Sequence, residues 1–361
     1  MNGVLGPRQD LDELFESRPP TPKPRGRTRG RVMVMLMALV LVVTGAVTAV
    51  QLARSATTVQ HLGDPFAAIP AAERPTAAPS APSAPASPMN ILVIGSDSRA
   101  SDGDTDDWTR GGQRSDVLAV LHLSADRTNA QFISIPRDSW VPVPGYGTTK
   151  INAAYSYGGA ALAVHTVEQL TGLRIDHVVA IDFVGFAHIT DALGGVDICV
   201  PQTVTDGIGT VPAGCSTMTG EQALEYVRQR KTLPGGDFDR MHRQQNWIRA
   251  VLKGVADKGL LQDPIRAASV VREVAAWVRT DDGLGDTQLV SLAWELRGLQ
   301  RDKVAFLTTP LATPATGMEG PASVVYLDQA AGGPMWAALE DDDAATWLAQ
   351  NPDAPLSDTV R

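Results

Sequence analysis

Uncharged and charged positions divide this chain into unequal parts. Residues 32–53, VMVMLMALVLVVTGAVTAVQLA, are 22 positions without a charge. As a helix they would span roughly 33 Å at about 1.5 Å per residue, close to the ~30 Å apolar thickness of a bilayer. The run is apolar on every face, which a helix packed in a soluble core is not. Arg25, Arg27, Arg29 and Arg31 crowd its N-terminal side, and Arg54 is the nearest charge on the other. The positive-inside bias then predicts a single-pass helix with residues 1–31 in the cytoplasm and the remainder outside the cell. A cleaved signal peptide competes with this reading. Its apolar region is shorter, about 7–15 residues, and ends in an A-x-A-like site, which this run lacks.

Beyond the span, residues 54–88 alternate Pro75, Pro79, Pro82, Pro85 and Pro88 with Ala and Ser. Such a stretch is extended and semi-rigid, a tether rather than a core. Residues 89–345 carry the patterns of one compact domain, and 346–361 read as a polar tail. Short apolar runs predict strands at Asn90–Ile94, Val117–Leu123, Ala130–Ile135, His177–Phe183 and Val196–Val200. Helical spacing predicts helices over Ala153–Leu170, 240–258, Ile265–Val278 and Thr287–Leu296. Thr219-x-x-Gln222 has the form of a capping box and opens a further helix toward Arg228. Strands alternating with long helices predict an α/β (α+β layered) fold, a mixed central β-sheet covered by helices, behind an N-terminal transmembrane helix.

Charge sharpens the picture. The net charge is −9, yet residues 1–31 hold seven basic against four acidic residues and the rest holds 24 basic against 36 acidic. An acidic main body argues against a general nucleic-acid binder, whose affinity comes from neutralising phosphates. Two cysteines are too few for a disulfide framework or a four-cysteine zinc site. Cys199 and Cys215 fall outside the membrane, a compartment that permits a disulfide. Two buried thiols are the alternative.

Nucleotide-loop, zincin and nucleophile-elbow motifs are absent, and the six histidines are scattered. What recurs is arginine beside aspartate at the ends of predicted strands. The windows are Gly95–Arg99, Arg114–Asp116, Pro136–Asp138, Tyr226–Arg230 and Asp237–Gln245. Arginine is a planar fork suited to phosphate, and paired carboxylates hold a hard cation such as Mg²⁺. Strand-end pairs and helix caps would explain any one window, with Asp138 the readiest cap or arginine orienter. Five together exceed what packing requires.

The strings NILVIGSDSR, RSDVLAVLHL, SIPRDSWVPVPGYGTTKINAAYSYGG, VEQLTGLRIDHVVAIDF, DALGGVDICVP and ALEYVRQRKTLPGGDFDRMHRQQ, in this order, resemble the LytR-CpsA-Psr family. The resemblance runs from Met89 to about Val255 and more weakly to about residue 330. It implies an extracytoplasmic phosphotransferase that moves a glycopolymer from a polyprenyl-pyrophosphate carrier onto peptidoglycan through a phosphodiester. Asp97 and Asp116 match carboxylates that hold Mg²⁺, with Mn²⁺ as a substitute. Arg99, Arg137, Arg228, Arg230, Arg240 and Gln244 match groups around the pyrophosphate, and Asp237 matches an acid of the same site. Lys150 and Asn152 belong to its mouth. Val117 stands where the family often has Thr. The lipid would lie along Ala153–Leu170 and Val178–Phe186. Arg228, Arg230 and Arg240 are expected to face one pocket, which requires the helix to end near Arg228 and the chain to turn extended. A non-catalytic polyprenyl-phosphate binder or regulator, and a polyprenyl-pyrophosphate phosphatase, remain as alternatives.

Overall fold

The computed structural model describes residues 59–76, 86–96, 115–229, 233, 235–257, 259 and 264–356, with the backbone alone at positions 237, 264, 266, 267 and 301. The predicted transmembrane run 32–53 and the cytoplasmic segment lie outside these residues. No helix among the described residues is long and apolar enough to cross a membrane.

In chain order, β1 (Gln60–His61) precedes β2 (Met89–Ser96), β3 (Ser115–Leu123), β4 (Ala130–Ser134) and the hairpin β5 (Trp140–Val143) and β6 (Gly147–Lys150). Helix α1 (Asn152–Thr171), β7 (His177–Asp182) and α2 (Phe183–Ala192) follow. Then come β8 (Val196–Val200), β9 (Val204–Thr205), β10 (Thr210–Val211), β11 (Gly214–Met218), α3 (Gly220–Arg228) and α4 (Asp237–Asp257). The last part is α5 (Pro264–Ala275), β12 (Val278–Thr280), α6 (Asp286–Glu295), β13 (Val304–Thr308), β14 (Leu311–Glu319), β15 (Ala322–Leu327), α7 (Gln329–Glu340) and α8 (Ala344–Gln350). The central sheet is mixed, with strand order β1-β12-β7-β2-β3-β4-β13. β2 and β7 run parallel, and β2, β3 and β4 form an antiparallel meander.

Alternation along β2 explains why helices cover both faces. Leu92 and Ile94 enter a core with Leu118, Val120, Ile133, Val164 and Val167, closed by Met335 and Trp336. Ile91 and Val93 point the other way, toward Leu292, Leu296 and Leu299. A second core joins Phe186 and Ile189 of α2 to Ile198, Tyr226 and Trp247. Side chains at a strand period of two must leave on opposite faces, so a near-continuous apolar run marks a strand buried twice.

The domain extends beyond 89–345 at both ends. Residues 59–76, expected in the tether, pack onto it: β1 pairs in parallel with β12, Ile69 enters the core, and Arg74 pairs with Glu168 at 2.7 Å. The apolar side chains within this stretch and one arginine with a buried partner overrule its proline content. The expected polar tail is likewise anchored, because Trp347 and Leu348 pack on the core and the Leu356 N–H donates to the Phe306 carbonyl at 2.8 Å. The helix expected over Ile265–Val278 stops at Ala275 and yields to β12.

Candidate functional site

A cleft of about 1250 Å³ opens beside the C-terminal end of β4. Its walls come from the start of β3, the 134–138 segment, the β5–β6 hairpin, the first turns of α1, the start of α4 and the β14–β15 hairpin. Asp116 owes its place to a bulge. Gly95 pairs with Val117 and Ser96 with Ser115, so Asp116 is the extra residue on β3. A bulge of this kind re-aims a side chain at a strand end. Gly95 is required opposite it, since a Cβ there would lie 2.7 Å from that of Val117.

Arg137 follows β4, and its guanidinium donates to Asp116 in a short ion pair. Its Nε lies 3.6 Å from Asp138, whose other oxygen meets the Lys150 ammonium at 2.9 Å. Arg240, in the first turn of α4, reaches the same Asp116 oxygen at 4.0 Å. The segment carrying Arg137 is pinned by backbone bonds: Asn152 N–H donates to the Arg137 carbonyl at 3.1 Å, and Val325 N–H to that of Asp138 at 2.9 Å. Hence Arg137 is held from two sides while its fork faces the cleft. Among the described lining residues the ionic groups are Arg137, Lys150 and Arg240 against Asp116 and Asp138. That excess of cation suits an anion of more than one oxygen.

The structure brings Asp116, Arg137, Lys150, Asn152, Arg240 and Gln244 to this one cleft. Arg240 and Gln244 share a face of α4, as their spacing of four predicts. Asp97, Arg99, Arg230 and the side chain of Asp237 lie outside the described residues. Ser96, the last described residue before Asp97, pairs with Ser115, the neighbour of Asp116.

Arg228 departs from the expected shared pocket. The helix does end there, and Gln229 turns extended at ψ 136°, as anticipated. The exposed Arg228 guanidinium, however, lies 4.9 Å over the Phe183 ring and does not line the cleft. Phe183 follows Asp182, the partner of Ser96 in the parallel β2–β7 pair, so Arg228 stands near where the chain leaves β2. The aromatic face offers the cation a partner there.

The two stretches expected along the lipid divide between the cleft and the core. Ala153, Ser156 and Tyr157 of α1 line the cleft, whereas Val164, Val167, Val178 and Ala180 are core. Cys199 and Cys215 form a disulfide across directly paired positions of β8 and β11. Both are exposed, which excludes two buried thiols. Sequence reading missed the wall made by Thr316 and Ala322–Val325, and it missed Trp140 and Phe238. The apolar run ASVVYL was the available signal for the hairpin. No group of three or more metal-ligating side chains occurs among the described residues.

The family model for LytR_cpsA_psr matches residues 65–340. Over 234 residues the chain is 38% identical to a probable cell wall biosynthesis protein, LcpB, of Corynebacterium glutamicum, covering 62% of this chain and 56% of that protein. It is 36% identical over 205 residues to the polyisoprenyl-teichoic acid–peptidoglycan teichoic acid transferase TagU of Halalkalibacterium halodurans, covering 55% of this chain and 64% of that one. The chain thus spans between half and two thirds of the length of these relatives. Bacillus subtilis TagV superposes with a TM-score of 0.60 at 28% identity, covering 71% of this chain and 97% of TagV. A LytR-Csp2A-Psr enzyme from Actinomyces oris superposes with a TM-score of 0.58 at 23% identity, covering 74% and 93%, a likeness of fold.

Proposed function

The chain belongs to the LytR-CpsA-Psr family, and from that premise we propose that it transfers a glycopolymer from a polyprenyl-pyrophosphate carrier to peptidoglycan through a phosphodiester bond. The observation that carries this reading is the sharing of one carboxylate, Asp116, by Arg137 and Arg240 inside a cleft with excess positive charge. The names of relatives such as TagU, a transferase acting on polyisoprenyl-linked teichoic acid, support it.

Arg137 and Arg240 bind the pyrophosphate oxygens and hold them against the charge that develops in phosphoryl transfer, an effect that grows in a water-poor site. An acceptor hydroxyl oxygen bonds to the sugar-proximal phosphorus. The bond from that phosphorus to the bridging oxygen breaks, and polyprenyl phosphate leaves. The hydroxyl proton passes to Asp237 or to a phosphate oxygen. Gln244 of α4 and Asn152 of α1 position the substrate, and Lys150, held by Asp138, adds charge at the mouth. Asp116, together with Asp97 of the same family pattern, would hold Mg²⁺ or Mn²⁺. The carboxylate-plus-phosphate donor set is the one such ions prefer. When bound, the ion supplies charge neutralisation and a template for the phosphates. The run 32–53 anchors the chain once in the membrane, with the domain outside the cell.

The test is incubation of the full chain in detergent with a lipid-linked oligosaccharide and peptidoglycan fragments, with and without Mg²⁺, followed by mass spectrometry. Oligosaccharide joined to the fragments supports transfer. Free oligosaccharide phosphate indicates a phosphatase, and unchanged donor indicates a non-catalytic binder.

A further inference from the structure

Two of the chain's five tyrosines sit on the surface in contact with each other. Tyr146, at the turn between β5 and β6, is 55% exposed, and Tyr157 of α1 is 50% exposed. Their rings stack at 4.7 Å with an interplanar angle of 23°. Tyr157 also lines the cleft.

Both rings are presented by backbone that breaks regular structure. Tyr146 lies between Gly145 and Gly147, at φ 78° and 71°, where side chains are strained and a Cβ would touch nothing. Tyr157 precedes Gly158 and Gly159, where α1 leaves helical geometry, with Gly159 at φ 61° and ψ −153°. Two glycine in-breaks in unrelated elements thus bring two aromatic faces together at one rim.

Between this rim and the phosphate-type end of the cleft runs the outward face of the β5–β6 hairpin. Trp140 pairs with Lys150, and Pro142 with Thr148. Lys150 to Gly147 is about 10 Å of strand. A group bound at the tyrosines is therefore beyond a pyrophosphate at Arg137 and in reach of a sugar further along the same molecule.

We propose that Tyr146 and Tyr157 form a stacking platform for a sugar ring of a glycan extending from the cleft. The C–H face of a pyranose is apolar and weakly positive, and it complements the negative face of an aromatic ring. The phenol hydroxyls and Thr148–Thr149 supply hydrogen-bonding groups for ring hydroxyls. The platform rests on the cleft being a glycan-phosphate site. The shared chemistry, a pyranose ring, belongs to donor polymer and peptidoglycan acceptor alike.

Binding is tested apart from turnover, so that its failure and that of the transfer reading are distinguishable. The full chain in detergent is titrated with a β-1,4-linked N-acetylglucosamine tetramer by calorimetry, without donor or metal. Wild type should bind. Tyr146→Ala combined with Tyr157→Ala should weaken binding about tenfold, in line with the loss of one outer ring face and of the ring stacked behind it. The corresponding Phe variants should stay within about twofold, because they keep the ring faces. Both side chains are half exposed, so melting should be unchanged. Should Tyr157→Ala melt early beside the helix break, Tyr146→Ala alone carries the test with a threefold loss. In the transfer assay, a raised KM for the peptidoglycan fragment places the acceptor on the platform, and a raised KM for the lipid-linked donor places the polymer there. Absence of binding by wild type, tetramer binding unaltered in the double Ala variant, or an equal loss in the Phe variants overturns the proposal.

Discussion

Arg240 and Arg243 leave α4 three residues apart and meet opposite surroundings. Arg243 is 1% exposed, lies 4.6 Å over the Tyr226 ring, and donates to the Tyr226 carbonyl at 3.2 Å and to Gln229 Oε1 at 2.7 Å. Gln229 in turn donates to the Val204 and Gly209 carbonyls, so the arginine ties α3, α4 and the β9–β10 ribbon together. Burial pulls this guanidinium below its ordinary pKa, with Tyr226 and acidic neighbours opposing. Arg240 instead faces the cleft and reaches an aspartate that Arg137 already engages. Arg74 repeats the first pattern, gripping the buried Glu168 with both arms and the Ile175 carbonyl at 2.7 Å. An arginine with acceptors of its own holds elements together. Arg137 and Arg240 instead converge on Asp116 at the wall of a cleft, where a planar fork suits a phosphate.

The largest effects should follow from the cleft. Asp116→Ala and Arg240→Ala should each lower transfer by about 10²–10³-fold with the melting temperature kept, as for the loss of a group aimed at transition-state charge. Full activity in Arg240→Ala, measured on lipid-linked donor, would erase the contrast with Arg243.

Arg243→Ala should act on stability. It opens a buried cavity and leaves Gln229 Oε1 and the Tyr226 carbonyl without a partner, a cost of about 3 kcal/mol in urea unfolding. A stable Arg243→Ala protein with impaired transfer would move Arg243 into the site.

Opening the Cys199–Cys215 bridge by Cys199→Ser with Cys215→Ser should cost somewhat less, about 2–3 kcal/mol for a loop of this length, without changing the affinity for donor. Altered transfer at equal stability would link the β8–β11 hairpin to the chemistry.

The smallest effect concerns His242, between the two arginines. Burial lowers its pKa below the ordinary imidazole value, with Asp239 opposing. The unfolded chain therefore takes up a proton first as the pH falls. The stability from the neutral ring is complete above about pH 6.5 and is lost as the pH drops toward the lowered folded value, by no more than ~1.4 kcal/mol per pH unit. Asp281 adds to acid sensitivity at lower pH. Burial raises its pKa, but hydrogen bonds from His177, Val178 N–H and Gly283 N–H prevail and hold it below the ordinary carboxylate value. Unfolding from pH 7.5 to 5.5 should be flatter in His242→Asn, and an unchanged slope would show that this ring is not the titrating group.

The elements that were legible in the sequence are those whose cause is local. β2, β3 and β4 were visible as apolar runs because both faces are buried, and the Thr219–Gln222 capping box formed as read because its partners are three residues apart. β1 was not visible: Gln60 and His61 are exposed, and the strand is formed by pairing with one more than 200 residues away. The β14–β15 wall was missed for a related reason, since Pro314, Gly317 and Gly320 interrupt its pattern and its burial is shallow. The separation of Arg240 from Arg243 was beyond reach as well. Residues three apart share a helix side, and only the arrival of Tyr226 and Gln229 distinguishes them.

The parallel pairing of β1 with β12 has a consequence for where the protein can act. Gln60 is fixed to the sheet edge, and six residues separate it from Ala53, the last residue of the proposed anchor. Fully extended, that stretch reaches about 25 Å at most. On the proposed anchoring, the edge of the domain would be held within that distance of the bilayer, however long the proline-rich segment behind it. A lipid-borne donor moving in the same plane would then meet the cleft by a nearly two-dimensional search. Such a leash would raise the donor's effective concentration without any added contact.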